Sequence, residues 1–248
     1  MTRVVAAIDN SAAARAVLVV GRAVASALGA DLEAVHVLED GHETATASAE
    51  AVGLGLRTLV GNPTDVLADE ADRADVLAVV FGLRDQTSGP RPAGHLVLEV
   101  AGRTATPVVA VPPGIAPPDH VSTLLVAMEG STASSEALRR TLALSADAGL
   151  DLVVVHVDEE VPPFTDQVQH ESDAYLQEFV ARHGPGLRDV RIELRIGAPS
   201  DELLAAIDLV GPELVAVGWP HPGGPDRGDV AREILAHCPV PLLLVPVP

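Results

Sequence analysis

The segment Phe81–His95, FGLRDQTSGPRPAGH, is the most informative part of this sequence for its fold. It leaves the apolar run 76–81, passes through glycine and proline, and ends where a helical pattern, LVLEVAG, begins. A strand, a glycine-rich loop and a helix N-terminus are typical of anion sites in α/β proteins, because backbone N–H groups and the positive end of the helix dipole face one point. The segment Val215–Asp229, VAVGWPHPGGPDRGD, repeats the arrangement.

The repetition extends over most of the chain. AIDNS, after the first apolar run, recurs as AMEGS 120 residues later, and the pair His36 and His156 keeps that offset. GNPTD at 61–65 recurs as GAPSD with an offset of 136, so the second copy is 16 residues longer in its middle. The added length lies in 164–183, an amphipathic helical pattern, whereas 41–55 of the first copy offers at most a short helix.

The order of these patterns predicts an α/β fold with two domains. Residues 1–113 form the first domain, 114–120 a proline-rich linker and 121–248 the second domain. Apolar runs that alternate with helical patterns indicate a parallel sheet with helices on both faces. Ligands of such folds bind outside the carboxyl ends of the strands, where the strand order reverses.

Composition excludes several classes of function. The net charge of −19 argues against nucleic acid or an anionic membrane as a partner, because both would be repelled. The sequence contains no lysine, which excludes the P-loop lysine and any Schiff-base lysine. Cys238 is the single cysteine, so an internal disulfide is excluded and a structural thiol is expected.

The sequence lacks several features that would indicate a membrane location or a catalytic activity. The chain begins directly with a strand-like run and has no apolar stretch near the ~20 residues of a membrane span, so we expect a cytoplasmic protein. It also lacks G-x-S-x-G, H-E-x-x-H and G-x-G-x-x-G motifs. We therefore expect a binding protein without a metal site, and not an enzyme.

The repeated motifs resemble the universal stress protein family. They are AIDNS and AMEGS, AVHV and VVHV, GNPTD and GAPSD, and the segments from Gly94 and Gly228 to the last strand of each copy. The resemblance covers nearly the whole chain twice, as in a tandem universal stress protein. It implies two flavodoxin-like domains (adenine nucleotide alpha hydrolase-like), each with five parallel strands in the order 3-2-1-4-5. It also implies that the domains pair about a pseudo-twofold axis, often through their fifth strands.

The resemblance further implies an adenine nucleotide, because many members bind ATP, which would be accompanied by Mg²⁺, or a related nucleotide. The residue types it assigns to the adenosine are the acid after strand one and the residue after the histidine of strand two. G-x-x-G-(nine residues)-G-[S/T] is assigned to the phosphates. Carried over by position, the first copy offers Asp9, Val37, Gly82, Gly94 and His95. The second copy offers Glu129, Val157, Gly218, Gly228 and Asp229.

Neither copy keeps the full motif. In the first, Asp85 replaces the second glycine and His95 replaces serine or threonine, but Arg84, Arg91 and His95 are able to hold phosphate oxygens. In the second, Asp229 stands where the serine or threonine belongs, and a carboxylate there would repel a phosphate and cap the helix itself. We expect the first copy to be the nucleotide site and the second to be degenerate.

Alternatives remain for several residues. Arg84 and Arg91 can equally be solvated surface charges, Gly82 and Gly94 can serve tight turns, and Asp9 can cap the first helix. The two strand histidines are better explained as core residues, and Trp219 either stacks on a ligand or packs in its loop. The broken motifs favour a second hypothesis, an interaction protein without nucleotide. A weak ATPase has no base or carboxylate pair to support it, and a monomer and a homodimer are both open.

Overall fold

The protein forms one ten-stranded sheet with the order β3-β2-β1-β4-β5-β10-β9-β6-β7-β8. The structure, a computed structural model, describes residues 1–38, 43–83, 94–128, 141, 148–158, 190–220 and 229–247. All strand pairs are parallel except β5 with β10, which is antiparallel. Each half of the sheet therefore has the predicted order 3-2-1-4-5, and the halves join through their fifth strands.

In its described residues, the first half comprises five strands and four helices. They are β1 Arg3–Ala7, α1 Ala14–Ala27, β2 Asp31–Val37, α2 Glu43–Ala51, β3 Leu56–Leu59, α3 Pro63–Ala71, β4 Val76–Gly82, α4 His95–Ala101 and β5 Val108–Val111. The weak 41–55 pattern thus forms a nine-residue helix, α2. Asn62 caps α3, since its side-chain oxygen accepts from the N–H of Thr64 at 3.0 Å and that of Asp65 at 3.4 Å.

The second half comprises five strands and, within its described residues, two helices. They are β6 Thr123–Met128, β7 Asp151–Asp158, β8 Val190–Ile196, α5 Pro199–Val210, β9 Leu214–Pro220, α6 Asp229–His237 and β10 Leu242–Val247. The helix predicted in 164–183 lies outside the described residues. The predicted linker falls in the segment that joins β5 to β6, and the domain limits at 113 and 121 stay a prediction.

The core consists of two aliphatic layers, one on each face of the sheet. One layer contains Val17 and Val24 of α1, and the other contains Val97 of α4 and Ile234 of α6. Both layers continue across β5 and β10 into both halves, so the halves share their core. The alternation of side chains along each buried strand supplies apolar residues to both faces, as the continuous apolar runs predict.

Cys238 lies at the end of α6, inside the second of these layers. Its thiol donates to the carbonyl of Val240 at 3.3 Å, and burial raises its pKa to about 11. The prediction of a structural thiol is confirmed, because a buried thiol with a raised pKa is not a reactive thiolate. None of the helices in the described ranges has the length and apolar character to cross a membrane.

At the amino ends of the first strands, Arg3, Glu33, Arg57, Glu70 and Asp75 form a cluster that we call the amino-edge ion cluster. Arg3 lies 2.8 Å from Glu70 and 2.8 Å from Asp75, and it also pairs with Glu33. Arg57 pairs with both glutamates. The Glu70 side chain is only 3% exposed. The cluster ties β1, β2 and β3 to α3 at the sheet edge opposite the carboxyl ends of the strands.

Candidate functional site

The first half brings three of its predicted site residues to one edge of the sheet. β1 pairs with β2 on one side and with β4 on the other, so the strand order reverses between β1 and β4. Asp9 follows β1, Val37 is the last residue of β2 and Gly82 is the last residue of β4. The carboxyl ends of parallel strands meet at this point, which is where open α/β sheets bind ligands.

Asp9 lies in a loop that is tied down on two sides. Its carboxylate accepts from the N–H of Ser11 at 3.0 Å, a turn typical of aspartate. The ring Nδ1 of buried His36 lies 2.8 Å from the carbonyl oxygen of Ile8, and because a carbonyl only accepts, Nδ1 carries the proton. The prediction of His36 as a core residue is confirmed, and its role is to hold the end of β1 beside β2.

The prediction that a side chain of this loop caps α1 is wrong. α1 begins at Ala14, and its N-cap residue, Ala13, has no side-chain cap. Ser11 accepts at 3.3 Å from the N–H of Ala13, which belongs to the N-cap residue and not to the first turn of the helix. Asn10 instead accepts from the N–H of Ala45 at 3.0 Å and so fixes the first turn of α2. This contact could not be predicted from the sequence, because 35 residues separate Asn10 from Ala45 and Asn10 is much nearer to α1 in the chain.

Gly82 is required by packing and not by a turn. A methyl group at this position would lie 3.1 Å from Cγ2 of Val17 and 3.6 Å from Cβ of Ala13, because β4 approaches α1 closely. The residue belongs to the strand, and its φ is not in the left-handed region. Glycine here therefore serves helix–sheet contact.

Substituting Gly82 by alanine is expected to lower the free energy of unfolding by about 1 kcal/mol. The overpacking against Val17 costs more than alanine gains by restricting the unfolded chain. Gly55 is the matched control, because a methyl group there meets no atom within 4 Å and its φ is not positive. Gly55→Ala should leave the protein as stable as wild type or slightly more stable in urea unfolding. Equal urea midpoints for Gly82→Ala and Gly55→Ala would show that Val17 moves aside without a loss of stability.

Gly94 and His95 begin α4. Gly94 has φ +79°, so it occupies the left-handed region, and the prediction of a tight turn there is confirmed. Nδ1 of His95 lies 3.2 Å from Oε2 of Glu99, one helical turn further on.

Glu99 is itself held in place by α3. The hydroxyl of Thr64 donates to Oε2 of Glu99 at 2.8 Å. This hydrogen bond, with the positive charges of His95 and Arg103, holds the pKa of Glu99 below its usual value. The carboxylate thus stays charged at neutral pH and orients the His95 ring.

The adenosine end of the predicted site is better defined than its phosphate end. Asp9, Val37 and Gly82 lie at one edge of the sheet. Gly94 packs near this edge, because a methyl group placed at Gly94 would lie 3.3 Å from Cδ2 of the buried Leu83. Arg84, Asp85 and Arg91 lie outside the described residues. Across the described ranges, no three His, Cys, Asp or Glu side chains are arranged to hold a metal ion.

In the second half, the predicted site residues include Val157 near the end of β7 and Gly218 within β9. A methyl group at Gly218 would make an ordinary contact with Val247 at 3.5 Å, so packing does not require this glycine. Asp229 opens α6, and its side chain is 82% exposed and lies 3.5 Å from Arg232. The negative charge of Asp229 interacts favourably with the positive end of the helix dipole, as predicted. Glu129 and Gly228 lie outside the described residues.

Trp219 is a packing residue. It is 6% exposed and belongs to the core layer beneath α6, and the guanidinium of Arg232 lies 5.5 Å from its ring centre. A ring enclosed in this way is not a platform for a base. Both roles need an aromatic residue at a strand end, so the sequence alone could not separate them. Among the strand histidines, His156 pairs with Asp158 at 3.3 Å and is partly buried.

The fold defines a class of protein: a pair of flavodoxin-like α/β units that are joined through their fifth strands. The family model described as "Universal stress protein family" matches residues 120–246, just over half of the chain. The chain belongs to the universal stress protein family. A comparison with curated proteins gave no match.

Solved structures show the same fold over the full chain. A universal stress protein from Archaeoglobus fulgidus DSM 4304 is 16% identical with a TM-score of 0.69, and the alignment covers 98% of each chain. A candidate universal stress protein from Pseudomonas aeruginosa UCBPP-PA14 is 11% identical with a TM-score of 0.65, covering 100% of this chain and 94% of the other. A protein of unknown function from Pseudomonas aeruginosa PAO1 is 12% identical with a TM-score of 0.62, covering 100% and 93%.

Proposed function

We propose that the chain is a tandem universal stress protein that acts in the cytoplasm as a regulatory binding protein and takes an adenine nucleotide, ATP or AMP, in its first half. The proposal is for a binding protein and not for an enzyme. Bound ligand would stabilise the first half and alter a surface that a partner reads. The observation that carries the proposal is the position of Asp9 at the point where the strand order reverses.

The geometry around Asp9 suits the ribose of a nucleotide. A carboxylate offers about four acceptor sites, and the N–H of Ser11 orients this one at the end of β1. The loop is held by His36 and by the contact of Asn10 with α2, so the carboxylate is placed before a ligand arrives. Pre-organised acceptors gain affinity because little ordering is lost on binding.

The phosphate end of the ligand would be held by His95 and Arg84. His95 opens α4, and its Nδ1 lies 3.2 Å from Oε2 of Glu99, a contact that orients the ring. Arg84 follows Leu83 at the end of β4, and a guanidinium can bind phosphate with two parallel hydrogen bonds. If ATP is the ligand, Mg²⁺ would accompany it through the phosphates.

The number of nucleotides bound per chain tests the proposal. Equilibrium dialysis against ATP and against AMP should saturate at one equivalent per chain, because Asp229 repels phosphate in the second half. The protein as purified should carry less than one equivalent. Its single Trp and single Tyr absorb little at 280 nm, so carried nucleotide would dominate the spectrum near 260 nm. Two equivalents per chain would contradict the assignment to one half.

A nucleotide-free interaction protein is the second candidate, and a specific observation favours it. Gly82 and Gly94 are both explained by packing and backbone conformation alone. The motif glycines would then be retained for the fold, and the protein would act through its surface. No binding of ATP or AMP at millimolar concentration would select this candidate.

A further inference from the structure

The candidate site of the first half is close to the second half at Gly94. A methyl group on Gly94 would lie 3.2 Å from Cδ2 of Leu235, which belongs to α6. Gly94 is the residue that turns the chain from the candidate loop into α4, immediately before His95. The turn is therefore packed between a leucine of its own half, Leu83, and a leucine of the other half.

Leu235 is held firmly enough to support this turn. It is buried, and its neighbour Ile234 is completely buried in the same core layer. The N–H of Cys238 donates to the carbonyl of Ile234 at 2.8 Å, which closes the end of α6. At its other end, α6 places Arg232 over the ring of Trp219. Trp219 belongs to β9, so α6 packs on this strand at Arg232.

We infer that Leu235 is a positioning residue of the first-half site: it fixes Gly94 and through it His95, so that the site is built by both halves. This inference rests on the proposed function. A contact group must be held within about 0.5 Å of its productive place by residues that are themselves locked by packing. Leu235 supplies that support from outside the half that carries the site.

The two halves differ at the position that Leu235 occupies in the second half. Gly94 and Gly228 are 134 residues apart, and the same offset relates Leu235 to Ala101 of α4. The large side chain, Leu235, thus belongs to α6 of the second half, and the small one, Ala101, belongs to α4 of the first half. The motif of the second half is the one that carries Asp229. A degenerate second half is then retained as the support of the first.

Leu235→Ala in the full chain tests the inference by equilibrium dialysis with ATP. We expect affinity to fall about tenfold, because the turn at Gly94 loses its support. Leu235→Met, which keeps most of the volume, should restore affinity to near the wild-type value. Saturation of the wild type with ATP should also change the emission of Trp219, since α6 carries both Leu235 and Arg232, and Leu235→Ala should diminish that change.

Leu203→Ala is the matched control, because Leu203 is an equally apolar, buried residue on α5 of the same half. It should lower stability without weakening the binding of ATP. An unchanged affinity in folded Leu235→Ala, or an equal loss in Leu203→Ala, would overturn the inference and leave the proposed function standing. Failure of the wild type to bind ATP or AMP would overturn both.

Discussion

Glu70→Gln is expected to lower the free energy of unfolding by about 2 kcal/mol, since a neutral amide weakens the charge-assisted hydrogen bonds that the buried carboxylate accepts from Arg3 and Arg57. Glu70 is almost fully buried between Arg3 and Arg57, and glutamine keeps its shape but not its charge. Arg3 would retain Glu33 and Asp75, so the variant should still fold. Urea unfolding monitored by circular dichroism measures the change.

The loss should depend on pH in a defined direction. Burial alone would raise the pKa of Glu70, but hydrogen bonds from Arg57 and Arg3 outweigh it and hold the pKa below its usual value. A carboxyl whose pKa is lowered on folding stabilises the protein above its unfolded pKa, about 4.3, and loses that contribution as the pH falls through the folded value. The difference in stability between wild type and Glu70→Gln should therefore shrink below about pH 4.

Glu233→Gln is the control for the charge change itself. Glu233 is an exposed residue of α6 that pairs with His237, so its neutralisation should alter stability by less than about 0.5 kcal/mol. A Glu70→Gln variant as stable as this control would show that the amino-edge ion cluster contributes nothing beyond surface pairing.

Asp9→Ala is expected to abolish nucleotide binding, with an affinity loss of at least about 100-fold. Hydrogen bonds to a charged acceptor contribute about 1.5–3 kcal/mol each, and the ribose would make more than one with this carboxylate. Isothermal titration with ATP measures the loss. Asp9→Asn keeps the acceptor for the N–H of Ser11, so it separates the turn from the charge and should also bind weakly.

Asp229→Ala is the matched control for Asp9→Ala. Asp229 is the acid of the second half at the start of α6, it is highly exposed, and its removal should leave nucleotide binding intact. Loss of binding in Asp229→Ala with binding retained in Asp9→Ala would reverse the roles assigned to the two halves.

Much of the fold follows from the sequence because the periodicity of buried strands is strong. Apolar runs such as 76–81 and the offset between AIDNS and AMEGS predict the strands to within one or two residues. The region 41–55 was predicted less well, since α2 is rich in small residues and owes its first turn partly to Asn10, which is distant in sequence.

The candidate site could be placed from the sequence only in part. Asp9, Val37 and Gly82 were predicted at the carboxyl ends of strands, and the structure brings these ends together. The reason for Gly82 could not be predicted, because its contact with Val17 depends on how closely α1 packs on β4. The support of His95 by Glu99 and Thr64 joins α4 to α3, a pairing with no local signal.

The sequence by itself determined the class of fold, the repetition of one pattern and the excess of negative charge, because periodicity and composition are properties of the chain alone. Only the tertiary structure decided which residues share a layer across β5 and β10. It placed Leu235 of the second half against Gly94 of the first, although 141 residues separate them. Such contacts arise when two apolar faces are buried together, and burial is set by the packing of whole helices rather than by any local motif.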